Sequence, residues 1–163
     1  MVFHMRFAHA LPWFLDVIVL GVSVSFASKP LTESFTSVLG LTLFFAGVFV
    51  MFYSKQWLGR QYSLAPRVKS DHVLVMSGPY ALVRHPIYAG ALLALLGLNV
   101  ALESLGGLVA WLLIAIPGHV WRAWQEEKLL AQHFNTLFED YCSRTGFMFP
   151  RVWRLFKRLF FLK

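Results

Sequence analysis

The stretch Asp71-His-Val-Leu-Val-Met-Ser-Gly-Pro-Tyr-Ala-Leu-Val-Arg-His-Pro-Ile-Tyr-Ala-Gly90 decides how the chain is read. In it, polar side chains able to do chemistry gather immediately before a long apolar run. Gly78-Pro79 signals a turn, and Arg84-His85-Pro86 sets a cation and an imidazole beside a residue suited to the first turn of a helix. From Ile87 onward the sequence is almost wholly apolar. A loop therefore delivers Arg84, His85 and Tyr88 to a helix entrance.

Working outward, the chain has 163 residues, 58% of them hydrophobic and 14% charged, with a mean hydropathy of +0.60. Soluble domains carry roughly a quarter charged residues, so the composition is that of an integral membrane protein. It is read as a single domain over residues 1–163. The apolar run 11–27 is followed by Ser-Lys-Pro and not by a small-residue cleavage site, so it is taken as the first span rather than a signal peptide. Cys142 is the sole cysteine, which excludes an intrachain disulfide and a cysteine-rich metal site. The net charge of +7 comes from bases scattered beside apolar spans without a nucleic-acid-binding motif, so no nucleic acid partner is expected.

The fold class expected is all-α, with about four transmembrane helices over residues 11–27, 35–53, 87–102 and 105–124. Pro12 suits the first turn of the first helix. Gly40 and Gly47, seven apart, share a face of the second and let a neighbouring helix come close. Residues 103–107 form so tight a break that the third and fourth helices are expected as an antiparallel hairpin. Their far ends then meet, bringing Arg84, His85 and Tyr88 towards His119, Arg122, Glu126 and Glu127. Pro117-Gly118 is expected to kink or break the fourth helix.

Of 15 Lys and Arg, only Lys29 lies in the two short connections on one side. The positive-inside rule then places the long loop, both termini and the polar clusters in the cytoplasm. Residues 126–141 repeat apolar side chains at three and four and are expected to form an amphipathic helix. The final residues 151–163 mix bases with Trp and Phe as an interfacial anchor on anionic lipid does. Cytoplasmic interfacial helices are therefore expected over 126–163, in contact with membrane lipids.

Arg122 and Glu126 share one helical face, as an ion pair or as the flanks of a ligand. The first of these, an interfacial salt bridge, accounts for them equally well taken alone. His85 can act as acid, base or hydrogen-bond donor near neutral pH, and can equally be structural. His72, Tyr80 and Tyr88 read individually as loop or aromatic-belt residues, and His119 as interfacial beside Trp121 and Trp124. Asp16 is taken as interfacial, one turn from its helix end, and is left out of the site. His4, His9 and His133 are too scattered for a metal cluster, and no metal is expected. Glu126 and Glu127 point about 100° apart on a helix, so the residue numbers alone leave open which of them faces a pocket. Phosphate loops, nucleophile elbows and His-Glu-x-x-His pairs are missing from the sequence, which disfavours soluble-enzyme chemistries.

The motifs His72-Val-Leu-Val-Met-Ser-Gly-Pro-Tyr80, Arg84-His-Pro-Ile-Tyr-Ala-Gly90, Arg122 with Glu126-Glu127, and the helix ending at Tyr141 resemble the isoprenylcysteine carboxyl methyltransferase family. The resemblance covers about the C-terminal 95 residues. It implies methyl transfer from S-adenosyl-L-methionine to a lipophilic or prenylated acceptor, most readily a carboxylate, with a cofactor loop over 70–90. By the same resemblance His72, Val73, Leu74, Val75, Tyr80, Arg84, His85, Pro86, Ile87, Tyr88, Glu126 and Glu127 line the cofactor pocket. Arg122 faces the acceptor carboxylate and Glu126 also acts in catalysis. Phospholipid amine and small-thiol acceptors stay open, because related methyltransferases share similar motifs. An NADPH-dependent reductase with a related Arg-His-Pro-x-Tyr segment, and a non-catalytic lipid-binding membrane protein, are the readings from other classes.

Overall fold

The computed structural model describes residues 2–28, 34–59 and 73–151, with side chains from residue 11 onward. His72, Asp71, Lys29 and residues 152–163 of the expected anchor lie outside the described residues.

Helix α1 (Val2–Ser25) carries Pro12 in its interior rather than its first turn, because the helix begins well before the apolar run does. Helix α2 (Phe35–Leu58) opens on Ser34, whose hydroxyl accepts the amide hydrogen of Ser37 at 3.2 Å. It closes on Gly59 at φ +50, the left-handed conformation that glycine adopts without cost. A 3-10 turn (Gly78–Ala81) with Pro79 in its first turn precedes α3 (Pro86–Ala101), which starts at Pro86 as the sequence indicates. The chain then turns through Leu102 and Glu103 into α4 (Leu105–Ala110), capped by Ser104. Next come a π-helical segment (Trp111–Ala115) and α5 (Ile116–Phe134). Together α4, the π segment and α5 form one continuous run, Leu105–Phe134. Asn135, at φ +46, breaks the chain into α6 (Thr136–Arg144), so the amphipathic stretch expected over 126–141 is two helices.

The all-α expectation holds among the described residues, but the count of spans does not. Among the described residues only Phe35–Leu58 and Leu105–Phe134 are long and apolar enough to cross a membrane, not about four helices. Pro86–Ala101 is shorter, and of α1 the described side chains cover Leu11–Ser25. Pro86 fixes the start of α3, and the turn at Leu102 its end. Its 16 residues reach about 24 Å, less than the ~30 Å hydrocarbon core. The two long helices, with outward apolar side chains such as Phe35, Phe49 and Leu113, support an integral-membrane location and association with lipid.

Helix α3 sits at the centre. On one side it packs along α2, and on the other it meets α4, the π segment and α1. The expected hairpin partner is therefore only one of its neighbours, and α2 is the most extensive. Gly40 and Gly47 face α3, as their spacing indicates, and meet Gly90 and Gly97 there. A Cβ on Gly40 would lie 2.6 Å from the Gly97 carbonyl oxygen, and one on Gly47 2.5 Å from that of Gly90. No side chain fits between these backbones. On its other face Tyr88 and Leu92 join Val19, Ala110, Ala115 and Ala123 in the core. The Trp111 indole donates to the Leu92 carbonyl at 2.8 Å, tying the π segment to α3. The π turn lies immediately before Pro117, which lacks the N–H that a regular helix needs, and one wide turn accommodates that loss.

Candidate active site

Opposite the Leu102–Glu103 turn, the start of α3 and the middle of α5 bring the two sequence-distant polar clusters together. Arg122, 2% exposed, donates from Nε to Glu126 Oε1 at 3.0 Å and to the Tyr88 hydroxyl at 3.2 Å. The Tyr88 hydroxyl in turn donates to the same Glu126 oxygen at 2.6 Å. Cation, phenol and carboxylate thus close a three-membered network between α3 and α5. Burial makes each member depend on the others, because an unpaired charge there would be expensive.

A second network lies beside it. Arg84 donates from Nε to Glu127 Oε1 at 2.6 Å, and His85 Nε2 lies 3.1 Å from the same atom. Nδ1 of His85 lies 3.8 Å from Glu126 Oε2. Neighbouring glutamates, pointing apart on the helix, therefore each serve a different network, with the His85 ring between them. That ring stacks on Tyr88 with centroids 5.7 Å apart and planes 14° apart.

The segment after α6 buttresses both. Arg84 and His85 donate their backbone N–H groups to the Phe147 carbonyl at 3.1 and 3.0 Å, and Gly146 donates to Leu82 at 3.0 Å. The Arg84 guanidinium also donates to the Thr145 carbonyl at 2.9 Å and lies over the Phe147 ring. From α6, Tyr141 donates to the Tyr80 carbonyl at 2.8 Å. Burial pushes the Tyr141 phenol above its ordinary range, so it remains a donor throughout the physiological range.

Of the residues singled out from the sequence, Arg84, His85, Tyr88, Arg122, Glu126 and Glu127 converge. Tyr80 is buried and held by Tyr141, Pro86 is buried in the first turn of α3, and Ile87 packs on the core. Val73, Leu74 and Val75 lie in the irregular lead-in to the 3-10 turn, with Val73 exposed, and outside these polar networks. His72 cannot be placed relative to them, since it lies outside the described residues.

Two residues read from the sequence as interfacial lie close to these networks. His119 is fully buried within the protein, and its ring meets Tyr88 and Trp13 edge-on at 5.5 and 5.9 Å. Asp16 does not stand apart from the site, because its Oδ2 lies 3.5 Å from His119 Nε2. Trp13 and the 145–147 segment are further supports that sequence reasoning missed. The segment acts through its backbone carbonyls and the Phe147 ring, which carry no polar side-chain signature. Trp13 and Asp16, three apart on α1, carried the one available signal, an aromatic and an acid on the same helix face.

The two carboxylates keep side-chain exposures of 22% for Glu126 and 20% for Glu127. A partly open pair of acids backed by aromatic rings suits a small ligand that carries hydroxyl groups or a positive charge. Among the described residues no group of three His, Cys, Asp or Glu side chains could hold a metal ion.

Residues 35–136 match the family described as phospholipid methyltransferase. The chain is similar to the cobalt-zinc-cadmium resistance protein CzcN of Cupriavidus metallidurans, 32% identical over 86% of this chain and 62% of that protein. It is similar also to the protein-S-isoprenylcysteine O-methyltransferase of Saccharomyces cerevisiae, 29% identical over 77% of this chain and 53% of that protein. A third relative, the nickel-cobalt-cadmium resistance protein NccN of Alcaligenes xylosoxydans xylosoxydans, is 28% identical over 86% of this chain and 63% of that protein. The chain thus spans between 53% and 63% of the length of these relatives. Their names divide between methyl transfer and metal resistance, so the likeness reaches beyond the isoprenylcysteine methyltransferases that the motifs resemble.

Proposed function

The chain belongs to the phospholipid methyltransferase family, and from that premise we propose that it transfers a methyl group from S-adenosylmethionine to a lipophilic or membrane-associated acceptor. The observation that carries this reading is the buried Arg122, clasped by Glu126 and Tyr88 beside a second carboxylate, Glu127. The cofactor, when bound, supplies an activated sulfonium methyl group. Glu126 and Glu127 would hold its hydroxyl and ammonium groups, and Arg84, His85 and Tyr88, backed by Tyr80, Pro86 and Ile87, would form the surrounding wall. What remains for the protein is to align donor and acceptor and to exclude water.

A carboxylate is the acceptor we favour, as in prenylcysteine O-methylation. Arg122 is a cation whose orientation is already fixed at its Nε edge, and an ionised carboxylate needs no proton removed before attack. An amine or thiol acceptor is the second form of the same reaction, with His85 or Glu126 taking the proton. The metal resistance in the names of two relatives finds no cluster of ligating side chains among the described residues on which to rest. The bias of basic residues supports a cytoplasmic site and cytoplasmic termini.

The test is calorimetric titration of the detergent-solubilised chain with S-adenosylmethionine, beside Glu126→Gln and His85→Ala. Affinity in the range of about 1 μM to 1 mM, weakened at least about tenfold in both folded variants, is expected. Folded wild type that binds no donor overturns the reading. Arg122→Ala then separates the acceptors: a carboxylate substrate loses affinity and an amine does not.

A further inference from the structure

His119 and Asp16 stand behind the networks just described. His119 is fully buried, the Asp16 side chain keeps 16% exposure, and His119 Nε2 lies 3.5 Å from Asp16 Oδ2. Chemistry fixes the tautomer. The Ala115 carbonyl, 2.9 Å from Nδ1, can only accept, so Nδ1 carries a hydrogen. In the neutral ring Nε2 then has none, and it faces a carboxylate oxygen that has none when ionised. Two acceptors turned on each other in an apolar interior are unfavourable. Neither His119 Nε2 nor Asp16 Oδ1 finds a hydrogen-bond partner among the described residues. A single proton between ring and carboxyl relieves the conflict and leaves the pair with no net charge.

The pair is also placed to act on the site. The Tyr88 ring is flanked edge-on by His119 at 5.5 Å, by the tilted Trp13 ring at 6.3 Å, and by the stacked His85. Its hydroxyl is the one that joins Arg122 to Glu126. Gly118 lies against α1 here, with Leu15 Cδ1 2.8 Å from where its Cβ would be. We propose that Asp16 and His119 share one proton and together form the positioning element that holds Tyr88 against Arg122 and Glu126. The titratable and charged groups facing His119 are Asp16 from α1 and Tyr88 from α3, with Arg122 one turn along its own helix. His85 and Glu126 connect through Tyr88. The inference concerns the geometry of Tyr88 and holds whatever the acceptor proves to be.

The test uses the full chain in detergent micelles, labelled with ¹⁵N-histidine and ring-¹³C-tyrosine, with His119→Asn and Tyr88→Phe to assign the two signals. Wild-type His119 Nε2 is expected away from the position of a bare imidazole nitrogen. Asp16→Leu should move it to that position and shift Tyr88, whereas Asp16→Asn, which can donate an amide hydrogen to Nε2, should restore both. Raising the pH until the shared proton is lost moves wild type towards the Asp16→Leu spectrum, while Asp16→Asn does not respond. A bare Nε2 in wild type, an identical pH response in wild type and Asp16→Asn, or an unmoved Tyr88 in Asp16→Leu overturns the proposal. Equal displacement of Tyr88 in the leucine and asparagine variants overturns it as well, since packing alone would then account for the effect. If Asp16→Leu does not fold, Asp16→Ala takes its place with the same expected spectra.

Discussion

Along α3, the flank facing α2 and the end facing α5 are made of opposite materials. The flank is a line of backbone against backbone, where Gly90 and Gly97 meet Gly47 and Gly40 and added volume has nowhere to go. The end is a set of charges and rings: Arg122, Glu126, Tyr88, His85, Arg84 and Glu127. There the requirement is for complementary charge, and shape matters less. One contact is spoiled by adding atoms and the other by removing a partner. Rigidity is supplied by the flank, and chemistry can be concentrated at the end because the flank does not depend on it.

The most damaging way to break this contrast is Arg122→Leu, which leaves Glu126 and Tyr88 facing each other without a cation. We expect a loss of about 3 kcal/mol in unfolding measured in mixed micelles, with most of it recovered in the double change Arg122→Leu, Glu126→Leu. A double variant no more stable than the single one would mean that the charged end too is held by shape. Next, Gly97→Ala at the flank should cost about 2 kcal/mol, because its Cβ would lie 2.6 Å from the Gly40 carbonyl oxygen. No companion change of charge should restore it.

Glu127→Gln, which keeps shape but removes charge facing Arg84 and His85, should cost about 1–2 kcal/mol in the same assay. Cys142 is a gentler reporter. Burial holds its thiol above the usual range while Arg84 pulls it down, so maleimide reacts slowly near neutrality and faster as pH rises. Arg84→Met should slow that reaction about threefold further. An unchanged rate would place the Arg84 charge out of reach of the thiol. The smallest effect belongs to the exposed Arg144–Asp140 pair: Arg144→Ala should change stability by less than about 0.5 kcal/mol.

The flank was half legible in the sequence. Gly40 and Gly47 announce a close neighbour by their spacing, but the partner glycines sit in α3, whose expected partner was the helix after the tight turn. Hydropathy overcounted the spans for a related reason: apolar content sees α3 and not the proline and turn that limit its length. The meeting of Arg84, His85 and Tyr88 with Arg122, Glu126 and Glu127 was legible from chain reversal alone. Asp16 and His119 were not, since each has an ordinary interfacial reading and only the register of α1 against α5 makes them a pair. The split between Glu126 and Glu127 also needed coordinates, because sequence fixes their angular separation but not what lies on either side.

The π segment has a consequence for how the long helix can change. One wide turn inserts about 100° of rotation between the helix on its N-terminal side and the helix on its C-terminal side. The α4 surface set against α1 and the α5 surface carrying Arg122 and Glu126 therefore keep separate phases along a single rod. Removing one residue between Trp111 and Ala115 would carry both side chains around the axis like the hand of a dial, away from Tyr88, with every residue of the site still present. The segment is thus a place where the site can be re-aimed without altering what it is made of.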